Sequence, residues 1–449
     1  MASKPPDFRI ERDSMGEVRV PTDVLYGAQT QRAVENFALG PQRFQSALIQ
    51  ALGLVKACAA RVNAELGLLH PELASAIGQA ADAIAGGAHY EQFVVNVFQT
   101  GSGTSTNMNA NEVIARLAKA HPNDHVNRSQ SSNDVIPSAI HIAAALEVRS
   151  QLLPALDLLG GALQNRALAF WDVMKIGRTH LQDATPIRLG QEFSGYAQQV
   201  RASSERITMA LDGIYELPLG GTAVGTGVNA PPGFAARTIA LIGQRTGLPF
   251  REARNHFEAQ AAKDAISFLS GALKTCAVAL TKIANDIRWL GSGPRGGLGE
   301  IRLPELQPGS SIMPGKVNPV IAESLLMICA QVIGHDATIT WGCAAGNFEL
   351  NVMMPVMAYD LLDSIELLIA GVRNFTERCV KGIEANREKT GALVEQSLAM
   401  ATPLATEIGY DRAAAIAKEA FATGRTVREV AIEKSGLSEQ KIADLLRFA

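Results

Sequence analysis

A heptad series of apolar residues between Ile266 and Leu290 constrains the fold of this 449-residue chain more than any other feature. Its members are three and four residues apart, which places them on one face of a single helix. They are Ile266, Leu269, Leu273, Cys276, Leu280, Ile283, Ile287 and Leu290. Because a seam of this length needs other long helices to cover it, the series predicts a helical bundle.

Four other stretches also predict long helices, at about residues 135–170, 190–215, 319–339 and 357–375. Pro355 stands just before the last of these and predicts a kink or a helix start. We therefore predict an all-α fold with a central bundle of five long helices. We divide the chain into three domains: a mixed, mainly helical region at 1–133, the bundle at 134–392 and a small helical region at 393–449.

The composition excludes several classes of protein. A content of 47% apolar and 19% charged residues is typical of a folded chain, and a net charge of -3 gives no general attraction to nucleic acid or anionic membranes. Five scattered cysteines and an N-terminus without a secretory or transit signal favour a cytoplasmic protein with free thiols. Charges such as Lys274 and Lys282 interrupt the apolar stretches, so we expect no membrane-spanning helix.

The segment GSSIMPGKVNP, residues 309–319, resembles a nucleotide-phosphate loop but departs from it in spacing and chemistry. Five residues separate its two glycines, and Val317 stands where a magnesium-binding hydroxyl is required. Asn318 followed by Pro319 instead predicts the start of a helix, with Asn318 as the cap. Lys316 lies just before that N-terminus, so the segment predicts an anion site.

Two more polar segments are each predicted to open onto a helix. QSSND offers Ser131, Ser132 and Asn133 before a helix at about residue 135, and TGSGTSTNMNANE offers Ser102 and Thr104 before another. Three loops rich in hydroxyl and amide donors suit a ligand with two carboxylates. Phosphate is a weaker fit, because one lysine and no evident arginine clamp accompany these donors.

A histidine is the candidate proton carrier in the sequence. His180 lies beside Thr179 in GRTHLQDATP, which reads as a polar loop that ends at a proline. A lone histidine is more often structural or exposed, but this one is not on an apolar face and is suited to carry a proton near neutral pH.

Two other patterns carry little weight. A G-x-G-x-x-G match at residues 291–296 follows a helix instead of a strand, which argues against a dinucleotide site. His121 and His125 have metal-like spacing without a third ligand, so we predict no metal.

These segments together resemble the class II fumarases of the fumarase/aspartase superfamily. GSSIMPGKVNP is similar to the superfamily signature, and TGSGTSTNMNANE, HPNDHVNRSQSSNDVIPSAIH, GRTHLQDATPIRLGQEFSGY and ELPLGGTAVGTGVN follow the same order. RIERDSMGEVRVPTDVLYGAQTQRA near the start and IGYDRAAAIAK near the end match as well. The resemblance covers almost the whole chain.

The resemblance implies reversible hydration of fumarate to (S)-malate, a citric acid cycle step, by carbanion-type trans elimination and addition. It implies a homotetramer with active sites built from three chains, a small dicarboxylate substrate, and no metal or organic cofactor. Catalytic roles fall on His180, Ser310 and Glu323. Substrate-binding roles fall on Ser102, Gly103, Thr104, Ser131, Ser132, Asn133, Thr179, Ser311, Lys316, Val317 and Asn318, and His121, Pro122, Asn123 and Asp124 match a second dicarboxylate site.

Some positions leave a second activity open. Residues 320–322, Arg188 and the segment 402–406 depart from the usual fumarase pattern, and Val320 is more similar to aspartate ammonia-lyases. Gly315 and the Thr179–His180 pair resemble fumarases instead. The resemblance therefore favours water as the nucleophile, with aspartate ammonia-lyase as the alternative.

Overall fold

The structure, a computed structural model, describes residues 7–447. The first six residues of the predicted N-terminal domain and the last two of the predicted C-terminal domain lie outside the described residues. In the described part the strands are β1 (Phe8–Asp13), β2 (Gly16–Pro21), β3 (Met174–Thr179), β4 (Gln182–Arg188), β5 (Glu216–Leu217), β6 (Arg251–Glu252), β7 (Ile301–Arg302) and β8 (Glu384–Ala385).

Helices make up most of the rest. The first five are α1 (Ala28–Asn36), α2 (Ser46–Glu65), α3 (Pro71–Ala85), α4 (Thr104–Ala118) and α5 (Ser132–Glu147). The next seven are α6 (Leu153–Ala169), α7 (Leu189–Ile214), α8 (Phe234–Thr246), α9 (His256–Ala261), α10 (Asp264–Leu290), α11 (Val320–Ala344) and α12 (Met354–Arg378). The last five are α13 (Arg387–Gln396), α14 (Ala405–Ile408), α15 (Tyr410–Thr423), α16 (Val427–Lys434) and α17 (Glu439–Leu445), and short helical turns cover Tyr90–Gln92, Pro122–Val126, Val148–Leu152, Val380–Gly382 and Leu398–Ala401.

The predicted long helices are present, and the prediction of an all-α fold is confirmed. α5, the turn Val148–Leu152 and α6 follow one another directly and cover the predicted stretch 135–170. α7, α10, α11 and α12 correspond to the other four. Every apolar residue of the heptad series on α10 is buried, as expected for a helix whose seam faces a core.

The chain folds into two compact units, each made of three segments. Within the described residues, unit 1 comprises residues 7–154, 205–277 and 330–369, and unit 2 comprises residues 155–204, 278–329 and 370–447. In unit 1, β1 pairs with β2 antiparallel, β5 pairs with β6 in parallel, and α2 packs against α3, α5 and α8. In unit 2, β3 pairs with β4, β7 pairs with β8, and the helices after residue 386 surround a core that includes Leu404, Val430 and Ile442. The division into three domains along the chain stays a prediction.

The prediction of a polar loop around His180 is wrong, because GRTHLQDATP belongs to a hairpin. β3 and β4 pair with Thr179 opposite Gln182, which leaves only His180 and Leu181 at the tip. Their φ angles are 56° and 59°. Two successive residues with positive φ are what a tight two-residue hairpin requires.

Two helix starts also differ from the sequence-based prediction. α5 begins at Ser132 and not near residue 135, because Ser131 and Asp134 form a capping box at its N-terminus. α4 begins at Thr104, directly after Gly103, whose φ of 73° suits glycine. Nine of the thirteen residues of the TGSGTSTNMNANE segment therefore lie on a helix.

Three helices are long and apolar enough, by length and composition alone, to cross a membrane: α2, α10 and α11. The prediction that charges exclude such helices is wrong, because each contains an 18-residue window with at most two charged residues. That window is 83% buried in α2, so α2 is a core helix. It is 50% buried in α10 and only 33% buried in α11, which leaves apolar surface on both. All five cysteines are free thiols, as predicted.

Candidate active site

The lysine loop, residues 309–319 of unit 2, is closed at its base by two hydrogen bonds. The Gly309 N–H donates to the Lys316 carbonyl at 2.7 Å, and Asn318 Nδ2 donates to the Gly309 carbonyl at 2.7 Å. Among the described residues, the Asn318 side chain is hydrogen-bonded to the Gly309 carbonyl and to no N–H group of α11. Asn318 therefore does not act as the predicted cap of α11. A Cβ at Gly309 would lie 2.5 Å from the Lys316 carbonyl oxygen, so the loop needs glycine there.

Ser310 has a specific backbone environment within this loop. Its Oγ accepts hydrogen bonds from the N–H groups of Ile312 at 3.2 Å and Met313 at 3.0 Å. Ser311 is exposed, whereas Ser310 is half-buried. Two N–H donors aimed at one hydroxyl oxygen stabilise that oxygen when it loses its proton. The arrangement therefore favours Ser310 as a proton acceptor.

A cavity of about 650 Å³ adjoins the lysine loop. Predicted residues lining it are Lys316, Val317, Asn318 and Glu323. The sequence analysis missed Arg288, which lines the same cavity and donates from Nη1 to Asn285 Oδ1 at 3.0 Å. The cavity thus holds an arginine beside the lysine, contrary to the prediction. The sequence signal that could have pointed to Arg288 is its position three residues after Asn285, since both lie outside the apolar heptad positions of the same helix.

The His180 hairpin is anchored at its stem by a buried cluster of charges. Arg178 donates to both carboxylate oxygens of Glu300, at 3.0 and 2.9 Å, and Glu300 is fully buried. The Lys175 ammonium, also buried, lies 3.4 Å from Glu300 and 3.3 Å from Glu192. Burial raises the pKa of Glu192, although Lys175 opposes this effect. His180 and Thr179 are exposed beyond this anchor.

Glu323 and His180 occupy different surroundings in unit 2. Glu323 lines the cavity beside the lysine loop, whereas His180 is exposed at the hairpin tip. Among residues 7–447 no hydrogen bond or ion pair is described between the two side chains, and the role of Glu323 in orienting His180 stays a prediction.

In unit 1, the Ser131–Asn133 segment is held by a buried carboxylate. Asp134 Oδ1 accepts the Ser131 N–H at 2.9 Å, and its Oδ2 accepts the N–H groups of Gly220 and Thr222 at 2.9 and 3.0 Å. Burial raises the pKa of Asp134, and these three N–H donors oppose the rise. Asn133 Nδ2 donates to the Ala223 carbonyl at 2.8 Å. The glycine-rich segment 220–223 thus belongs to this part of the site, and the sequence signal for it was the resemblance of ELPLGGTAVGTGVN to the family.

The other predicted donors of unit 1 lie at the start of α4. The Ser102 and Thr104 hydroxyls are hydrogen-bonded to each other at 2.7 Å. A Cβ at Gly101 would lie 1.9 Å from the Val352 carbonyl oxygen, so this backbone approach requires glycine. On the same helix, Asn107 Nδ2 donates to Ser132 Oγ at 2.9 Å, which links the two donor segments.

A second cavity of unit 1, about 900 Å³, is lined by His121, Pro122 and Asn123 together with several charged residues. His121 Nδ1 accepts the Asp124 N–H at 3.1 Å, and His125 Nδ1 accepts the His121 N–H at 3.0 Å. Cations around it are Arg12, Arg116 and Lys119, and the carboxylates are Glu11, Asp13 and Glu112. Among the residues described, no group of three or more His, Cys, Asp or Glu side chains could hold a metal ion.

Comparison with known proteins defines the class to which this fold and these donor segments belong. The family model described as "Lyase" matches residues 16–334, and the model described as "Fumarase C C-terminus" matches residues 400–449. The chain is therefore a lyase.

Individual relatives narrow the assignment. A class II fumarate hydratase of Mycobacterium tuberculosis is 54% identical over 448 residues, covering 98% of this chain and 94% of that protein. One from Thermosynechococcus vestitus is 52% identical, covering 98% and 97%. The crystal structure of class II fumarase from Schistosoma mansoni superposes with a TM-score of 0.95 at 39% identity and covers 98% of each chain. Within the lyases, this chain belongs to the class II fumarase family.

Proposed function

We propose that this enzyme interconverts fumarate and (S)-malate by reversible addition of water. The observation that carries the proposal is the lysine loop. It presents a serine oxygen supported by two N–H donors and a lysine ammonium on one closed segment. Family membership at 54% identity supports the same reaction.

The carbon side of the reaction belongs to the lysine loop. Ser310 removes the C3 proton of malate, and the carbanion persists because its neighbouring carboxylate takes up a second negative charge. Lys316, Asn318 and the N-terminus of α11 stabilise that charge. Loss of one such donor costs about 3 kcal/mol in transition-state stabilisation.

The oxygen side belongs to the hairpin. His180 gives a proton to the departing hydroxide of malate and takes one from the attacking water in the reverse direction. Glu323 orients His180 and balances its charge. Because no contact joins the two side chains within the described part of one chain, we place this pairing between chains.

The two carboxylates of the substrate are bound by hydroxyl and amide donors that different chains contribute. These donors are Ser102, Gly103, Thr104, Ser131, Ser132, Asn133, Thr179, Ser311, Val317 and Asn318. The 900 Å³ cavity beside His121 is a second dicarboxylate pocket, and the three cations that line it support this role.

The enzyme works as a homotetramer with active sites shared between chains. α11 supports this assembly, because Met327 is 68% exposed and Trp341 is 78% exposed on a helix whose most apolar 18-residue window is only 33% buried. Exposed apolar side chains in such number mark a surface that another chain covers. Each chain then brings its donor segments to sites completed by its neighbours.

The alternative reaction is elimination of ammonia from aspartate. Gly315 disfavours this reaction, because the ammonia-lyases that resemble this segment carry alanine at that position. Gly315 has a φ of 78°, a conformation that suits glycine better than alanine. The Thr179–His180 pair also favours water.

One assay separates these reactions. Purified enzyme mixed with malate should produce the ultraviolet absorbance of fumarate, and enzyme mixed with aspartate should not. Turnover of aspartate without turnover of malate would overturn the proposal. Inactivity of a folded tetramer toward both substrates would do so as well.

A further inference from the structure

Lys56 is a buried cation beside the Ser131–Asn133 segment. It lies on α2, and its side chain has no exposed surface. Its ammonium donates to Asn127 Oδ1 and to Gln130 Oε1, both at 3.0 Å. Among the described residues no carboxylate lies within ion-pair distance of it. A buried ammonium without an ionic partner costs folding free energy, so its presence needs an explanation.

Both acceptors lie in the segment that leads directly into Ser131. Asn127 Oδ1 also accepts from Asn107 Nδ2 at 3.2 Å and from Asn111 Nδ2 at 3.1 Å. Because Asn107 also donates to Ser132 Oγ, three hydrogen bonds connect the ammonium with a predicted substrate-binding hydroxyl. Gln130 immediately precedes Ser131 in the chain.

The charge on Lys56 depends on its surroundings. Burial lowers its pKa to about 7, and the field of Asp134 on α5 opposes this effect. Asp134 is the charged side chain that faces the ammonium. The groups that α4 and residues 127–130 contribute around it are the neutral amides of Asn111, Asn127 and Gln130. A dicarboxylate on the Ser131 side would add negative charge and favour the ammonium.

We propose that Lys56 is a positioning residue of the dicarboxylate site, whose ammonium fixes Asn127 and Gln130 and thereby orients Ser131, Ser132 and Asn133. The inference rests on the proposed binding of a dicarboxylate by these donors. Lys56 itself does not touch the substrate. It acts through neutral amides, and its positive charge complements the bound dianion.

Lys56→Met separates positioning from a merely structural role. Methionine has a similar length and carries no charge, so the thermal midpoint should stay unchanged or rise, as often follows removal of a buried charge. The KM for malate should increase about tenfold or more, because charged hydrogen bonds are stronger than neutral ones. A structural lysine would give the opposite pattern, with a lower midpoint and an unchanged KM.

Lys263→Met is a matched control. Lys263 is also buried in unit 1, and its ammonium donates to the backbone carbonyls of Ala259 and Gln260, at 2.7 and 2.8 Å. Removal of the Lys263 ammonium should change the KM for malate by less than about twofold. Its acceptors are backbone carbonyls of the preceding helical turn and do not belong to the Ser131–Asn133 segment. If Lys56→Met does not fold, Gln130→Met removes one acceptor and should raise the KM in the same direction.

Proton uptake on binding gives an independent readout. A bound dianion raises the pKa of Lys56, so between its free and bound pKa values the protein takes up a proton with the ligand. Calorimetric titration of succinate at about pH 7.5, in two buffers with different ionisation heats, measures this uptake. Lys56→Met should bind succinate with less proton uptake than the unmodified enzyme.

The outcomes distinguish this inference from the proposed function. An unmodified enzyme that does not turn over malate contradicts the proposed function. An active enzyme whose Lys56→Met variant keeps its KM and its proton uptake contradicts the role of Lys56 alone. A tenfold higher KM that Lys263→Met reproduces also contradicts it, because any buried ammonium would then have the same effect.

Discussion

At the scale of single residues, Ser310 is the side chain on which the proposed carbon chemistry depends. Ser310→Ala removes the oxygen that the Ile312 and Met313 N–H groups support. Exchange of the malate C3 hydrogen with solvent deuterium should cease, and turnover should fall at least about a hundredfold. Dicarboxylate binding should remain, because Lys316, Asn318 and Asn133 are unchanged. Nuclear magnetic resonance of malate measures the exchange, and succinate titration measures the binding.

His180→Asn is the control for this assignment. It should lower turnover, whereas C3 exchange should partly survive, because carbanion formation uses Ser310 and the anion site and not the hairpin. Rapid C3 exchange in Ser310→Ala would show that another group is the carbon-side base.

The sequence motifs identified residues whose chemistry is local and missed those that tertiary contacts bring in. Ser310 and Lys316 stand in one eleven-residue segment, so their proximity follows from the chain itself. Arg288 precedes that segment by more than twenty residues, and only folding places it at the same cavity. Lys56 was missed for the same reason, because its acceptors lie more than seventy residues further along the chain.

At the scale of elements, the β3–β4 hairpin owes its anchoring to the buried Arg178–Glu300 pair. Glu300→Gln leaves the guanidinium of Arg178 and the ammonium of Lys175 without their shared carboxylate. Removing one partner from a buried ion pair costs about 3–5 kcal/mol, so the urea midpoint should fall clearly at a fixed protein concentration. Turnover should fall too, because the hairpin carries His180.

Asp172→Asn provides the comparison for Glu300→Gln. Asp172 forms a bidentate pair with Arg387 at 2.9 Å, but both side chains are more than half exposed. Solvent screens such a pair, so its loss should leave the urea midpoint and the turnover unchanged. Equal effects of the two substitutions would contradict the anchoring role of Glu300.

Helices were predictable from local periodicity, and the hairpin was not. The heptad residues of α10 repeat every three or four positions and needed no partner to be recognised. The strands of the hairpin carry no clear apolar alternation, and Glu300, which holds them, lies 122 residues from Arg178. Ser131 and Asp134 have the S-x-x-D spacing of a capping box, and this box starts α5 at Ser132, three residues before the predicted position.

At the scale of the whole molecule, the main feature is the apolar helix surface that a single chain leaves uncovered. α10 and α11 have membrane-like apolarity while half or less of their most apolar windows is buried. The proposed tetramer explains both observations, because long apolar helices are covered by other copies. The cytoplasmic location and the three-domain division stay predictions from the sequence.

The central claim is that donor segments of different chains complete one active site. Two variants that we expect to be inactive, Ser310→Ala in unit 2 and Ser132→Ala in unit 1, test it when they are produced together with different affinity tags. Mixed tetramers isolated through both tags should regain a measurable fraction of fumarate hydration, since some sites receive only unmodified segments. Mixed tetramers as inactive as either parent would contradict the claim.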